Sequence, residues 1–425
     1  MREMKDSGIE WIGQIPKEWE LVQTKRRFRN IKRVVGDAVD EYERLALTMH
    51  GVLKRSKEDS EGLQPEKFEG YQILKINELV FKLIDLENVK TSRVGISPYT
   101  GLVSPAYIVL TNSYEDNRFF YYWFMFMYYN EIFNHLGGDG VRSSLNAKDL
   151  LSLPIPNINV NLQKRIADYL DNKCKKIDDL IEKQQKTIEK LKEYKLSIIT
   201  EAVTKGLSPN ADLKDSGTRF IGYIPINWTV SKLKYMSLAI GDGIHGTPEY
   251  DSDGEIYFVN GNNIGAEKLV FKTDTNTINE TEFKKYKKPL LNDNTILMTL
   301  NGATYGKTSF YNGEEILLGK SAGYITLKPN ENKEFVRYYL QSAVAKLIMD
   351  YSLCGSTIAN VSLRTLNDFA IPYPPKVEQV NIVKYLDKHT SQIDRSISYR
   401  QNIIERLLEY KKSFIYEVVT GKKEV

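Results

Sequence analysis

Two stretches of the chain carry the same narrow stripe of apolar positions. In the first, Ile166, Leu170, Ile177, Ile181, Ile188, Leu191, Ile198 and Ala202 recur at mostly alternating spacings of three and four, with Cys174, Gln184 and Tyr194 filling the gaps. In the second the stripe is Ile382, Leu386, Ile393, Ile397, Ile404, Leu407, Phe414 and Val418, with Arg400 standing where Gln184 stands. This is the pattern of a coiled-coil seam. No Pro or Gly interrupts either stretch, so each predicts one helix of about 60 Å at 1.5 Å per residue. Lys205-Gly206-Leu207-Ser208-Pro209-Asn210 and Gly421-Lys422-Lys423 are the stop signals. The polar Gln184 and Arg400 either fix register within the seam or snorkel to its edge. Elsewhere the pattern shortens to strand-like runs between Gly, Asn and Asp: Gln72–Leu74, Ala106–Leu110, Ile256–Val259 and Thr295–Thr299. Phe119 to Tyr129 is too short to span a membrane and predicts a buried helix. The fold class is α+β: two mixed α/β blocks, each followed by a long helix.

The two helices are part of a duplication. Lys5-Asp6-Ser7-Gly8, Ile12-Gly13, Ile15-Pro16 and Trp19 recur as Lys214-Asp215-Ser216-Gly217, Ile221-Gly222, Ile224-Pro225 and Trp228, an offset of 209. Downstream, Ile155-Pro156, Tyr169-Leu170-Asp171, Glu193-Tyr194-Lys195 and Val203-Thr204 recur at an offset of 216. Between these matched ends, from about 30 to 140 and 240 to 355, almost nothing aligns. A head, a variable block and a helical tail are thus used twice. The boundaries expected are 1–153 for the first block with its head, 154–206 for the central helix, 207–370 for the second block and 371–425 for the closing helix.

Composition adds exclusions. Lys plus Arg exceed Asp plus Glu by only four, so an anionic partner is neither demanded nor excluded. Two cysteines, Cys174 and Cys354, rule out a disulfide framework or cysteine-rich zinc module. A charged start without an apolar run shows no secretory signal, and the expectation is a soluble cytoplasmic protein.

Candidate catalytic motifs fail on context. Gly241-Asp242-Gly243-Ile244-His245-Gly246 fits a dinucleotide fingerprint, but Thr247-Pro248 and Asp251-Ser252-Asp253-Gly254 follow where a helix is required. Gly302 to Thr308 resembles a phosphate loop with its first glycine misplaced and a strand-and-turn sequence after it. The histidines His50, His135, His245 and His389 lack metal-ligand spacing, so no metal is expected. What remains are polar and basic loop residues suited to nucleic acid. In the first block these are Thr48, His50, Lys54, Arg55, Arg93, Arg142 and Ser143, besides the basic run Lys25-Arg26-Arg27-Phe28-Arg29. In the second they are His245, Asn262, Asn301, Tyr305, Lys307 and Lys320. Each alone also reads as a loop residue satisfying a turn.

A chain of two related halves can present equivalent surfaces about a pseudo-twofold axis, matching two half-sites on DNA. Its heads, and its tails with Gln163 or Gln379, Tyr-Leu-Asp, Ile-Asp and a closing Glu-x-Val-Thr, resemble the DNA-specificity subunit of type I restriction–modification systems. The first block resembles a target-recognition domain of that family in Tyr71-Gln72-Ile73-Leu74, Arg93-Val94-Gly95-Ile96-Ser97 and Gly101-Leu102-Val103-Ser104-Pro105-Ala106-Tyr107. The resemblance implies a non-catalytic subunit with two target-recognition domains, each reading one part of a split DNA sequence. Its helices would form an antiparallel coiled coil with pseudo-twofold symmetry that spaces the domains and docks two methyltransferase subunits. The expected seam contributors are Leu170, Ile177, Ile181, Ile188, Leu191, Leu386, Ile393, Ile397, Ile404 and Leu407. S-adenosylmethionine, ATP and magnesium would belong to partner subunits, including two restriction subunits. The adenine-methylating and nuclease activities would be the complex's, in keeping with the missing Asn-Pro-Pro-Tyr-like motif. A solitary nuclease, or a coiled-coil scaffold without DNA contact, are the competing readings.

Overall fold

The repeated head is a hairpin whose sequence is turn chemistry. In the computed structural model, which describes residues 2–59, 67–84, 86, 93–113, 116–136, 144–286, 289–353 and 360–425, strand β1 (Met4–Asp6) pairs antiparallel with β2 (Gln14–Pro16). The Asp6 carboxylate accepts from the backbone N–H of Gly8 at 2.9 Å, and Gly8 and Gly13 sit at φ +73° and +68°. Only glycine adopts that region without strain, which is why both recur in the second head.

Two compact units divide the chain. The first is Met1–Gln184 with Gln401–Val425, the second Gln185–Arg400. In the first unit β3 (Leu21–Gln23) is followed by β4 (Arg44–Thr48), β5 (Gly51–Arg55), β6 (Gln72–Leu74), β7 (Leu79–Lys82), β8 (Arg93–Ile96), β9 (Gly101–Val103) and β10 (Ile108–Leu110). Next come α1 (Arg118–Tyr129), α2 (Ile132–His135), α3 (Ala147–Ser152) and β11 (Pro154–Pro156), which pairs back onto β3. Helix α4 (Val160–Lys205) then leaves for the second unit.

There β12 (Leu213–Asp215) and β13 (Tyr223–Pro225) repeat the head hairpin. β14 (Thr229–Lys232), α5 (Leu233–Met236), β15 (Ser237–Asp242), β16 (Ile256–Val259), β17 (Thr277–Ile278), α6 (Glu280–Phe283), β18 (Thr295–Thr299), β19 (Thr308–Phe310), β20 (Ile316–Leu318) and β21 (Ala322–Leu327) follow. Helices α7 (Lys333–Leu340), α8 (Ala343–Leu353) and α9 (Leu363–Asn367) lead to β22 (Ala370–Tyr373) and the closing helix α10 (Lys376–Val419).

The blocks differ in sheet order. Among the described residues the first holds sheets β5-β4-β9-β6 and β10-β7-β8, and the second holds β15-β21-β18-β19 and β17-β16-β20. The aromatic run forms α1, with Phe119, Phe120, Trp123, Phe124 and Phe126 buried against Phe28 and Phe81. At 12 residues it is a core helix, not a membrane span.

Each unit contains a pair of antiparallel long-helix segments. In the first, the early turns of α4 meet the last turns of α10: Ile166, Leu170 and Cys174 share a core with Phe414, Ile415 and Val418. In the second, Ile198, Ala202 and Val203 of α4 share a core with Ile382, Leu386 and Ile393 of α10. The helices run 46 and 44 residues without interruption. Leu170, Ile177, Ile181, Ile188, Leu386 and Ile393 are buried, while Leu191, Ile397, Ile404, Leu407, Gln184 and Arg400 are half-buried.

One seam position differs from the sequence expectation. Tyr194 is 55% exposed, as is its counterpart Tyr410. Lys195 and Lys411 turn inward instead, and pair with Asp394 at 2.6 Å and Asp178 at 2.7 Å. A helix of 3.6 residues per turn drifts about 20° per heptad from a strict 3.5 repeat. The neighbouring lysine can then lay its stem against the seam and pair its ammonium at the edge.

Candidate nucleic-acid interface

Repeat-equivalent bonds fasten each variable block to its long helices. Tyr122 donates to Asp171 at 2.7 Å, and Tyr338 to Asp387 at 2.7 Å. Burial, and then the neighbouring Cys174 and Asp171, hold the Tyr122 hydroxyl well above its ordinary range, so it stays a donor. Arg118 adds ion pairs to Asp116 at 2.6 Å and Asp168 at 2.8 Å. Gln163 and Gln379, both buried, donate back to the carbonyls of Ile158 at 2.8 Å and Pro374 at 2.9 Å. The Asp of Tyr-Leu-Asp and the tail glutamine are therefore anchoring residues.

In the second unit the strand ends gather four of the six candidate residues. Backbone bonds from Gly243 to Ala322 (3.1 Å) and from Ile244 to Leu318 (2.8 Å) lay the segment after β15 along the start of β21. Ser321 Oγ donates to Asn260 Oδ1 at 2.9 Å, bringing the turn after β16 to the same place. The backbone N–H of Leu300 reaches the Ser321 carbonyl at 2.9 Å and adds the end of β18. His245, Asn262, Asn301 and Lys320 thus stand on adjoining loops. His245, Asn262 and Lys320 are exposed, and Asn301 is half-buried.

Lys307 lies across the β18–β19 turn, its carbonyl accepting from Thr299 N at 2.8 Å. Among the described residues, Asn262, Lys307 and Lys320 make no side-chain hydrogen bond or ion pair, which leaves their donors for a ligand. His245 pairs with Asp242 at 2.9 Å. Tyr305 is turned away, its hydroxyl held by Asp350 and Lys346.

Gly243 of the dinucleotide-like run and Gly319 after β20 have a packing role. A Cβ on Gly243 would lie 2.1 Å from the Leu318 carbonyl oxygen, and one on Gly319 would lie 2.4 Å from Asn260 Oδ1. They let two backbones meet at the loop cluster, and no helix follows. Asn260 and Ser321 stand in the candidate runs Asn260-Gly261-Asn262-Asn263 and Lys320-Ser321, whereas Asp242 was not among the sequence candidates and reaches the loop cluster only through strand pairing.

The first unit arranges its candidates differently. Thr48 accepts from His50 N and donates to the Gly51 carbonyl, both at 3.0 Å, closing the β4–β5 turn with His50 exposed on it. Lys54 pairs with Glu43 at 2.5 Å and lies over the Tyr99 ring. Arg55 pairs with Asp59 at 2.6 Å. Arg93 begins β8, opposite Lys82. Arg93 and Arg44 both act on the Tyr107 hydroxyl, whose pKa burial raises nonetheless. Arg142 and Ser143 lie outside the described residues. In the basic run, Phe28 is buried while Lys25, Arg26 and Lys32 point to solvent.

Among the described residues no group of three His, Cys, Asp or Glu side chains gathers as metal ligands, and no helix is long and apolar enough to cross a membrane. The arrangement is one of loop-borne donors on a bonded scaffold.

Comparison with known proteins finds one family domain twice along the chain. The family model for the type I restriction modification DNA specificity domain matches twice, at residues 56–190 and 225–406. A putative type I restriction enzyme MjaX specificity subunit from Methanocaldococcus jannaschii is 27% identical over 212 residues, 47% of each chain. The StySPI specificity subunit from Salmonella potsdam is 23% identical over 309 residues, covering 69% of this chain and 63% of that one. The chain thus matches about half to two thirds of the length of these relatives. A solved structure described in terms of complex assembly and conformational transition of the type I R-M system covers 96% of this chain and 99% of its own. At 14% identity and a TM-score of 0.68 it shares the fold. With two matched domains and the doubled head-and-helix frame, the chain belongs to the type I restriction–modification DNA specificity family, as a specificity subunit with two target-recognition domains.

Proposed function

We propose that each recognition domain reads one half of a bipartite DNA target and that the long helices set the distance between the halves. The observation that carries this is the contrast between matched anchoring bonds, such as Tyr122–Asp171 and Tyr338–Asp387, and blocks of different sheet order. Like frames with unlike readers suit two different half-sites at a fixed separation. The domains would be residues 1–153 and 207–370, and the coiled-coil segments 154–206 and 371–425. In the second domain His245, Asn262, Asn301, Lys307 and Lys320 would meet DNA. In the first, Thr48, His50, Lys54, Arg55, Arg93, Arg142 and Ser143 would do so. Tyr305 of the second domain is the weakest candidate because its hydroxyl is engaged.

The chain itself would be non-catalytic and cytoplasmic. Two methyltransferase subunits would dock on the helices and supply S-adenosylmethionine and adenine methylation. Restriction subunits would supply ATP- and magnesium-dependent cleavage.

Exchanging residues 20–150 for another recognition domain tests this reading. Methylation profiling of a host carrying the hybrid should show one half-site replaced and the other kept. A hybrid that alters both halves, or neither, overturns modular reading.

A further inference from the structure

The two head indoles are equally buried and unequally served. Trp228 Nε1 donates to Glu378 Oε2 at 2.9 Å. Its counterpart Trp19 is 2% exposed, and its Nε1 has no hydrogen-bond partner among the described residues. The helix position that carries Glu378 in the second unit carries Leu162 in the first, so the indole that lacks an acceptor is the one whose acid is missing. A buried N–H in that state carries its desolvation cost uncompensated and recovers it from any acceptor that reaches it.

The surroundings supply the complementary charge. Trp19 and Leu162 line a cavity of about 300 Å³ together with Arg2, Arg165, Lys423 and Glu424. Arg165 makes no hydrogen bond or ion pair among the described residues. Lys423 lies over the Phe414 ring with no acidic partner among the described residues, and Arg2 is paired with Glu18. In the second unit the counterparts of Arg2 and Arg165 are the neutral Ala211 and Asn381. One unit therefore carries a glutamate on its indole and neutral residues at the two arginine positions. The other carries Leu162 at the glutamate position and Arg2, Arg165 and Lys423 around the indole, with Glu424 also in the lining.

We propose that the cavity beside Trp19 is a carboxylate-binding site. Trp19 Nε1 and the Arg165 guanidinium would donate to the two oxygens once the half-buried Leu162 side chain moves aside. The carboxylate is that of a free small acid or of an acidic side chain on another protein. Glu378 on Trp228 is the internal precedent for this chemistry over a phosphate. The site is independent of the DNA-reading proposal, because it is assayed on the isolated full chain without DNA.

Indole ¹⁵N–¹H spectra of the full chain, which has four tryptophans, provide the test. Titration with sodium acetate, against sodium chloride at equal ionic strength, should shift the Trp19 signal saturably and leave Trp228 unmoved. Acetyl-Ala-Glu-Ala-amide binding more tightly than acetate would assign the site to a side chain, and the reverse order to a free acid. Leu162→Glu should move the Trp19 signal to a Trp228-like position and abolish the acetate response. Arg165→Gln should weaken it about threefold. The proposal is overturned by any of three results: no saturable acetate shift, an equal shift with inorganic phosphate, or a Trp19 signal already bonded in the wild type and freed by Glu424→Gln.

Discussion

The two units of this chain are alike where they are fastened and unlike where they present loops. Tyr122–Asp171 and Tyr338–Asp387, Gln163 and Gln379, and the Lys–Asp pairs of the helices recur bond for bond. The blocks they hold share neither sheet order nor the disposition of polar side chains. In the second, free donors gather at one set of strand ends. In the first, Lys54 and Arg55 are engaged by carboxylates. Attachment chemistry depends on a few residues at fixed helix positions and can stay constant while the attached surface changes.

Substitutions at equivalent positions turn this comparison into measurements. Trp19→Ala and Trp228→Ala should each cost about 3–5 kcal/mol through the cavity left behind. Trp228→Ala should cost about 1–2 kcal/mol more, since Glu378 loses its buried donor and Trp19 has no such partner. Chemical denaturation of both variants checks this, and equal losses would erase the asymmetry. Tyr122→Phe and Tyr338→Phe should each cost about 1–2 kcal/mol, a bond to a carboxylate that is partly solvated. Unequal costs would show that one anchor carries more of the attachment.

A pH comparison follows from Cys174, whose counterpart is the non-titrating Thr390. Burial, with the nearby Asp178 and Asp171, pushes the Cys174 thiol up to about 11 from an ordinary value near 9.0. The folded state thus holds the proton more tightly, so this contribution is complete below about pH 9 and fades as pH rises toward 11. Cys174→Ala should flatten that slope in thermal melts relative to wild type, and an unchanged slope would assign it to the buried tyrosines. The smallest effect is expected from Lys195→Ala and Lys411→Ala, each below about 1 kcal/mol and reduced by salt. Lys411 should matter more, its side chain being 16% exposed against 30% for Lys195.

Much of this frame is legible in the sequence because its causes are local. Glycines at positive φ, prolines beside the helix starts and an uninterrupted apolar stripe act within a few residues of themselves. The inward turn of Lys195 in place of Tyr194 was hidden, because both fit an alternating spacing and only the partner helix chooses between them. The candidate interface was legible as a set of residue types but not as a place. His245, Asn262, Asn301 and Lys320 meet through strand pairings that span about 75 residues of chain, and such contacts leave no periodic signature.

The path of the chain also governs how a genetic lesion would be felt. The first unit is completed by Gln401–Val425, whose Phe414, Ile415, Val418 and Val419 belong to the same core as Trp19, Trp123 and Leu170. A stop codon near position 400 would spare every residue of the second unit. It would strip the core from the unit that was synthesised first, so damage written at the end of the message is expressed in the half encoded at its beginning.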